Sequence, residues 1–210
     1  MFEDRDGSGS IGTGAGTVDD PGDMMIIGNT TPRYSYSFRI EASWNGFDIS
    51  AFFQGVGKRD WYPTANKDDI YGANQFWQLY GYTIPSFITY DFMDDVWSEQ
   101  NLGGYFPRLR PIQSYNGGPL GQNNDRYLQS VAYLRFKNLT IGYTLPVLKK
   151  YLSKLRIYVS GENLCYWSPL KKHCKLIDPE LAISSGTYKG GTGTGYTMPR
   201  TFSFGVDITF

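Results

Sequence analysis

The sequence predicts an all-β protein whose antiparallel strands cross a membrane as part of a β-barrel. Three observations lead to this prediction: strands with one apolar and one polar face, a chain that ends on an aromatic residue of such a strand, and long loops that alternate with short turns. No stretch of the 210 residues approaches the roughly 18 consecutive apolar residues of a transmembrane helix. Barrel strands alternate instead, so the mean hydropathy of −0.39 is compatible with them.

The last strand, residues 200–210 (RTFSFGVDITF), has the clearest alternation. Its apolar face carries Phe202, Phe204, Val206, Ile208 and Phe210, and its other face carries Thr201, Ser203, Gly205, Asp207 and Thr209. A buried strand of a soluble sandwich can show the same pattern. A chain that ends on the aromatic residue favours the closing strand of an outer-membrane barrel, with lipid on the apolar face and the lumen on the polar one.

Residues 33–55 predict a β-hairpin. RYSYSFRIEASW (33–44) alternates strictly, Asn45-Gly46 is the strongest short hairpin signal, and FDISAFFQG (47–55) is the partner strand, with Phe52 as the apolar exception on the polar face. Aromatic residues at both ends of the first strand flank aliphatic ones, as in the two aromatic girdles of a membrane strand. Arg39 and Glu41 lie on the opposite face, which we expect to line the lumen.

Residues 131–163 predict two further strands, at about 131–145 and 155–163. In the first of them the apolar face switches near Lys137-Asn138, which predicts either a β-bulge or a strand that rises above the membrane. Pro146 ends this strand, and residues 147–154 form a short connection. With 33–44, 47–55 and 200–210, the sequence predicts about five strands.

Long segments lie between these strands and are predicted to be external loops: 1–32, 56–130 and 164–199. Barrels pair short turns on one side with long loops on the other, so this alternation supports the barrel. The 56–130 loop contains fifteen Phe, Tyr and Trp residues. Trp61, Trp77 and Trp97 are candidates for stacking on sugar rings of a substrate, although aromatic residues of a large loop also pack on one another.

Composition excludes several classes of function. Twenty basic and twenty acidic residues give a net charge of zero, which argues against a nucleic-acid partner. No nucleophile and base are spaced as in a known active site, so no catalytic residue is predicted and an enzyme is not expected. The N-terminal MFEDRDGSGS lacks the features of a signal peptide. The chain is therefore either not exported or not complete, and we expect the second, with Met1 inside a longer protein.

Cys165 and Cys174 are the two cysteines, in a polar loop. Two alternatives remain open from the sequence: free thiols, or a local disulfide that closes the loop outside the cytoplasm. His173 lies beside Cys174, but two Cys and one His do not match the four-ligand spacing of a zinc site.

An acidic segment near the N-terminus resembles the start of an EF-hand calcium loop. Asp4, Asp6, Ser8 and Ser10 occupy positions 1, 3, 5 and 7, and Gly9 occupies the turn at position 6. Position 12 is Ala15 rather than Glu. Asp19, Asp20 or Asp23 could supply that carboxylate, and a solvated acidic turn is the alternative. Apart from a structural Ca²⁺, the sequence predicts no cofactor.

Several stretches together carry a family resemblance. They are IIGNTTPRYSYSF (26–38), WNGFDISAFFQGV (44–56), YFPRLR (105–110), YLRFKNLTIGYTLP (133–146), LRIYVSGENL (155–164), DPEL (178–181) and PRTFSFGVDITF (199–210). Through these stretches and their order, the chain resembles the C-terminal portion of SusC/RagA-type TonB-linked (TonB-dependent) outer-membrane transporters of Bacteroidetes.

The resemblance implies a roughly 22-stranded transmembrane β-barrel with a plug, of which this chain would supply about five strands. It implies TonB-energised import of oligosaccharides, or less often peptides, in the cell outer membrane. The implied partners are a SusD-like lipoprotein over the external loops, the TonB complex through an N-terminal part outside this chain, the barrel assembly machinery and membrane lipid. Phe202, Phe204 and Phe210 would form the barrel-insertion signal.

Five strands leave two open edges that lipid cannot satisfy, so this chain by itself is not expected to transport. Two other functions remain alternatives from the sequence: a soluble carbohydrate-binding β-sandwich and a passive, porin-like barrel.

Overall fold

The computed structural model describes residues 2–62, 94–106, 108, 124–146, 152–175, 177–182 and 198–210. Its strands are β1 (Tyr34–Trp44), β2 (Phe47–Lys58), β3 (Asp60–Trp61), β4 (Gln129–Ser130), β5 (Tyr133–Leu145), β6 (Lys154–Trp167) and β7 (Thr201–Thr209). β1, β2, β5, β6 and β7 form one antiparallel sheet in that order, and β3 pairs with β4. The prediction of an all-β fold with five main strands is confirmed. Within the described ranges, no helix is long and apolar enough to span a membrane.

The hairpin between β1 and β2 forms at the predicted turn. Asn45 and Gly46 both have positive φ, 47° and 86°, as a type I′ turn requires. The turn fixes the register so that Trp44 faces Phe47 and Ile40 faces Ala51. Apolar residues of the two strands therefore share one face of the sheet.

A β-bulge interrupts β5 where the apolar pattern switches. Phe52 pairs with Asn138 but Phe53 pairs with Phe136, which leaves Lys137 as an extra residue. Of the two alternatives predicted at this point, the structure contains the bulge. The extra residue lets β5 keep Phe136 in register with the aromatic ring of Phe53 while the strand continues towards the loops.

The buried core lies in the loops rather than on the main sheet. Trp61, Phe106, Val131 and Ala182 are fully buried there, and four separate parts of the chain supply the cluster. Its members are Trp61, Tyr62, Val96, Phe106, Val131, Leu170, Cys174, Ile177 and Ala182. A short 3₁₀ turn, Pro169–Lys172, places Leu170 in this core and is capped by the Ser168 hydroxyl. The described loops thus form a packed cap at one end of the sheet.

Large apolar side chains on one face of the sheet are exposed. All of β1 is exposed, and in β7 only Gly205 is half-buried. The exposed members include Phe38, Ile40, Trp44, Phe47, Ile49, Ile141, Ile157, Val159, Phe202, Phe204, Val206 and Ile208. Water-soluble monomers rarely present so continuous an apolar surface. This face fits contact with lipid and argues against the core of a soluble sandwich.

Candidate functional site: the two faces of the sheet and the loop latch

The register of the five strands separates the apolar and polar residues onto opposite faces. One row across the sheet reads Ala42, Ile49, Ile141, Val159 and Phe204. The next row reads Glu41, Ser50, Thr140, Ser160 and Ser203. Because the side-chain period of a strand is two, the alternation is preserved along the sheet. The result is a wall with an apolar outside and a polar inside.

Aromatic rings lie towards both ends of the apolar face. At the loop end Phe38 stacks on Phe53 at 4.9 Å, and Phe53 stacks on Phe136 at 4.5 Å. At the turn end the rings of Phe47 and Tyr143 lie 4.5 Å apart. In β1, β2, β5 and β6 the two rows between them hold aliphatic residues and Gly161, whereas β7 contributes Phe202 and Phe204. This is the arrangement of aromatic girdles at the two membrane interfaces.

Phe52, the apolar exception on the polar face, has a local explanation. The guanidinium carbon of Arg39 lies 5.6 Å from the centre of the Phe52 ring. Arg39 also forms an exposed ion pair with Glu41, at 3.5 Å. The ring therefore supports a charged side chain through a cation–π contact.

Arg156 joins three strands of the polar face near the turn end. Its Nε donates to Asp48 Oδ1 at 2.9 Å and its Nη2 to Asp48 Oδ2 at 2.6 Å, while its Nη1 donates to Asp207 Oδ2 at 3.0 Å. The side chain crosses β5 at Gly142, where a Cβ would lie 2.6 Å from the Arg156 Nε. One guanidinium and two carboxylates leave one negative charge in excess. This turn-end cluster is rigid because the Asp48 pairing is bidentate.

A second ionic cluster, which we name the loop latch, consists of Arg135, Lys137, Asp178 and Glu180. The Arg135 guanidinium donates to the Asp178 carboxylate, and the two side chains are only 2% and 6% exposed. Glu180 Oε1 lies 3.4 Å from Arg135 Nε, and Glu180 Oε2 accepts from Lys137 Nζ at 3.0 Å. The latch fastens segment 177–182 onto β5.

The two segments of the latch belong to motifs that carried the family resemblance, but the sequence assigned them no role. Both place charges two residues apart: Arg135 and Lys137 on the strand, Asp178 and Glu180 in the loop. This matching spacing of opposite charges is the one feature of the sequence that could have indicated the latch. It does not by itself say which distant segments meet.

The acidic segment near the N-terminus folds into a carboxylate cluster. Oxygens of Asp4, Asp6 and Asp23 lie within 4.8 Å of one another. Asp23 accepts hydrogen bonds from the backbone N–H groups of Gly12 at 2.7 Å and Arg5 at 2.6 Å, and these bonds lower its pKa. Of the three carboxylates considered for completing the site, the structure brings Asp23 to the cluster.

Other predicted ligands of this site have different contacts. Asp20 instead accepts from the backbone N–H of Ala15, at 2.8 Å. The Ser8 hydroxyl donates to the Ser10 carbonyl at 2.9 Å. Three carboxylates suit a hard cation, but calcium takes about six to eight oxygens, so further ligands would be needed.

The aromatic candidates for substrate contact have different positions. Trp61 is fully buried in the loop core, so its ring has no free face for a ligand, and this corrects the expectation from the sequence. Trp97 is half-buried, and its backbone N–H donates to the Phe106 carbonyl at 2.9 Å. Trp77 lies outside the described residues.

The two cysteines are free thiols in the structure, so the disulfide is not formed in it. Cys165 is half-buried on β6, where it pairs with Phe136, and Cys174 is buried in the loop core at 2% exposure. Burial raises the pKa of Cys174 to about 12. The strand and the core hold the two residues in different environments.

His173 connects two parts of the loop core. Its Nδ1 lies 2.7 Å from Asp95 Oδ2, and its ring stacks on Tyr105 at 3.6 Å. The neighbouring Cys174 thiol is buried and kept neutral, so this arrangement does not resemble an activated nucleophile. The histidine has a structural role in holding segment 94–106 against segment 169–175.

The aromatic residues of the last strand point outwards. Phe202 and Phe204 are each 70% exposed, and Phe210 is 90% exposed. All three lie on the apolar side of the alternating pattern. They are therefore accessible from the exterior of the wall.

A two-faced antiparallel sheet, with aromatic belts and a packed cap of loops, defines the wall of a transmembrane β-barrel. Comparison with known proteins agrees with this class. The chain is 29% identical over 220 aligned residues to TonB-dependent receptor P3 of Formosa agariphila, which covers 100% of this chain and 19% of that protein. No family model matches the chain.

Solved structures share the fold. The RagAB peptide importer in its closed-closed state superposes with a TM-score of 0.53 at 20% identity, covering 88% of this chain and 18% of that one. Its open-open state gives a TM-score of 0.51 at 21% identity, covering 86% and 17%. The resemblance to SusC/RagA-type TonB-dependent transporters is confirmed.

The chain spans about a fifth of the length of these relatives. Its five-stranded sheet therefore corresponds to part of a larger barrel.

Proposed function

We propose that this chain forms wall and external loops of a TonB-energised importer in the outer membrane. The observation that carries the proposal is the two-faced sheet, whose sequence matches a TonB-dependent receptor along its whole length. The polar face would line the lumen, with Arg39, Glu41 and Asp207 among its charges. Such a role requires no catalysis, and we propose no enzymatic activity.

Oligosaccharides are the first substrate class that we propose, and peptides are the second. The aromatic residues of the external loops support sugars, because flat rings stack on the apolar faces of pyranoses. The description of the RagAB structures as peptide importers supports peptides. Both substrates are flexible and polar, as a hydrated lumen would accept.

The loop cap is the surface that we propose for a SusD-like lipoprotein. The loop latch and the core around Trp61 give this end of the sheet a fixed shape, which a docking partner needs. The TonB complex would act through parts of the transporter outside this chain. Exposed Phe202, Phe204 and Phe210 would be recognised by the barrel assembly machinery.

We also propose that Asp4, Asp6 and Asp23 bind a structural Ca²⁺, with Ser8 and Ser10 as the remaining predicted ligands. Isothermal titration calorimetry of the intact protein with CaCl₂ tests this. Asp23→Asn is expected to abolish the binding heat, and Asp19→Asn, in the same segment, is expected to retain it. An unchanged titration for Asp23→Asn would exclude the site.

Uptake measurements test the main proposal. Cells that express the intact protein take up fluorescent oligosaccharides and fluorescent peptides in parallel assays, with and without a functional TonB system. An importer of the proposed kind loses uptake when TonB is inactivated. Uptake that continues unchanged would instead indicate the passive, porin-like barrel.

A further inference from the structure

A groove of about 710 Å³ opens at the loop end of β2, β5 and β6. Its lining includes Tyr36, Leu134, Cys165, Trp167 and Lys171. A volume of this size is in the range of ligand sites in proteins. Neither the wall function nor the loop latch accounts for it.

Two glycines on β2 shape the groove. Gly55 lies beneath the ring of Tyr36, since a Cβ there would come within 2.7 Å of Tyr36 Cζ. The Tyr36 hydroxyl then reaches across β2 and donates to the Tyr133 carbonyl at 3.1 Å. Gly57, which lines the groove, contributes no side chain. Tyr36 is thereby fixed as one wall of an open depression.

The groove continues the lipid-facing surface. Tyr36, Gly55, Leu134 and Trp167 form one row across four strands. That row lies directly beyond the stacked aromatic rings of the loop-end girdle. Tyr and Trp are the residues that concentrate at the level of lipid headgroups. An occupant of the groove would therefore lie where the membrane meets water.

Lys171 is the one charged residue among the described residues that line the groove. Its Nζ donates to the Tyr166 carbonyl at 2.9 Å and lies 3.9 Å from the Tyr166 ring centre. Among the described lining residues none is acidic. The nearby latch carboxylates, Asp178 and Glu180, already pair with cations.

We propose that this groove binds one anionic, phosphate-bearing lipid of the outer leaflet. Its acyl chain would lie along Leu134, Cys165 and Trp167. Its phosphate would reach Lys171 over the loop end of β6, because Tyr166, which Lys171 contacts, faces the opposite side of the sheet from Trp167. Continuity with the lipid-facing wall and complementary charge are the two arguments for this occupant. The inference rests on the membrane placement of the sheet and is independent of the substrate that is imported.

Cys165 provides a direct probe, because it is a free, half-buried thiol in the groove. The intact protein is placed in nanodiscs of dioleoyl phosphatidylcholine, alone or mixed with dioleoyl phosphatidic acid, and the rate of maleimide alkylation is measured. Phosphatidic acid at roughly nine times its Kd is expected to slow alkylation of Cys165 about tenfold, because about a tenth of the sites would then be unoccupied. A Cys165→Ser variant gives the background from other thiols.

Substitutions separate a site from a diffuse charge effect. Lys171→Gln is expected to remove the protection and Lys171→Arg to keep it. Lys172→Gln makes the same charge change at the next exposed residue, outside the groove, and is expected to keep it as well. Equal alkylation rates in the two kinds of nanodisc, or equal effects of Lys171→Gln and Lys172→Gln, would overturn the proposal.

Native mass spectrometry tests the unmodified protein. The protein released from mixed nanodiscs is expected to retain one phosphatidic acid molecule in preference to phosphatidylcholine. Retention of both lipids in proportion to their abundance would also refute the site.

Discussion

The loop latch makes a sharp prediction for Asp178→Asn. This substitution keeps the shape of the side chain and removes the charge that pairs with Arg135. The Arg135 guanidinium is 2% exposed, so water cannot replace the lost carboxylate. Segment 177–182 is expected to open more often, because its ionic attachment to β5 has been weakened.

The magnitude follows from the burial of the pair. Removing one partner of a buried ion pair costs about 3–5 kcal/mol. Glu180 remains 3.4 Å from Arg135, and the new amide oxygen can still accept a hydrogen bond, so we expect a smaller cost, of about 2–3 kcal/mol. That corresponds to local opening that is roughly 30- to 150-fold more frequent.

Hydrogen–deuterium exchange measures this opening. The amides of Leu181 and Ala182 donate to the Asp178 carbonyl at 3.0 and 3.1 Å, so peptides over 177–182 report directly on the segment. Exchange in the intact protein in detergent is expected to accelerate by the factor given above. Peptides from β7 serve as an internal reference, since they lie outside the latch.

Two further variants complete the test. Glu41→Gln removes a charge from the exposed Arg39–Glu41 pair, where the side chains are 59% and 62% exposed, and is expected to cost less than about 1 kcal/mol. Replacing Arg135 and Asp178 together by Met and Leu should restore most of the protection, because no unpaired buried charge remains. If Asp178→Asn changes exchange no more than Glu41→Gln does, the latch contributes no local stability.

Three other substitutions or conditions test separate features. Gly142→Ala is expected to destabilise the barrel by about 1–3 kcal/mol in denaturant titration, because its Cβ would lie 2.6 Å from the arginine that crosses it. A loss of stability within about 0.5 kcal/mol would show that the Arg156 side chain moves to make room for the added methyl group. Phe204→Arg, on the apolar face, should cost about 2–4 kcal/mol in lipid vesicles, whereas Ser203→Arg, on the polar face, should cost clearly less. Equal costs would contradict the assignment of the faces. The buried Cys174 thiol should resist alkylation at pH 8, and its contribution to stability, present below its unfolded pKa near 9, should be lost as the pH rises towards about 12. Rapid alkylation at pH 8 in the folded protein would show that this part of the core opens readily.

The fold could be predicted from local patterns, and particular residues show why. The alternation in 200–210 and 33–44 follows from the two-residue period of a strand, so the faces are encoded by neighbouring residues. Asn45-Gly46 specifies its own turn through the positive φ that both residues accept. The switch of apolar face at Lys137-Asn138 likewise marks its own bulge.

The candidate sites depended on contacts between distant residues, and here the sequence was a weaker guide. A tryptophan such as Trp61 suits both a ligand-binding loop and a buried core. The neighbouring residues in the chain do not show which of the two environments it occupies. From the sequence, Asp19, Asp20 and Asp23 were all candidates for the missing carboxylate of the calcium-loop pattern, and nothing distinguished Asp23 from the other two. Folding of the loop brought one of the three to Asp4 and Asp6.

The sequence by itself determined the strands, their faces and the membrane character of the wall, because each depends on periodicity over a few residues. Only the tertiary structure decided that Arg156 crosses Gly142 to reach Asp48, that Arg135 is locked by Asp178, and that a groove opens beside Tyr36. These features join residues far apart in the chain, and the register of the strands and the packing of the loops set their distances. Many sequences share the alternation, but few bring these particular side chains within hydrogen-bonding distance.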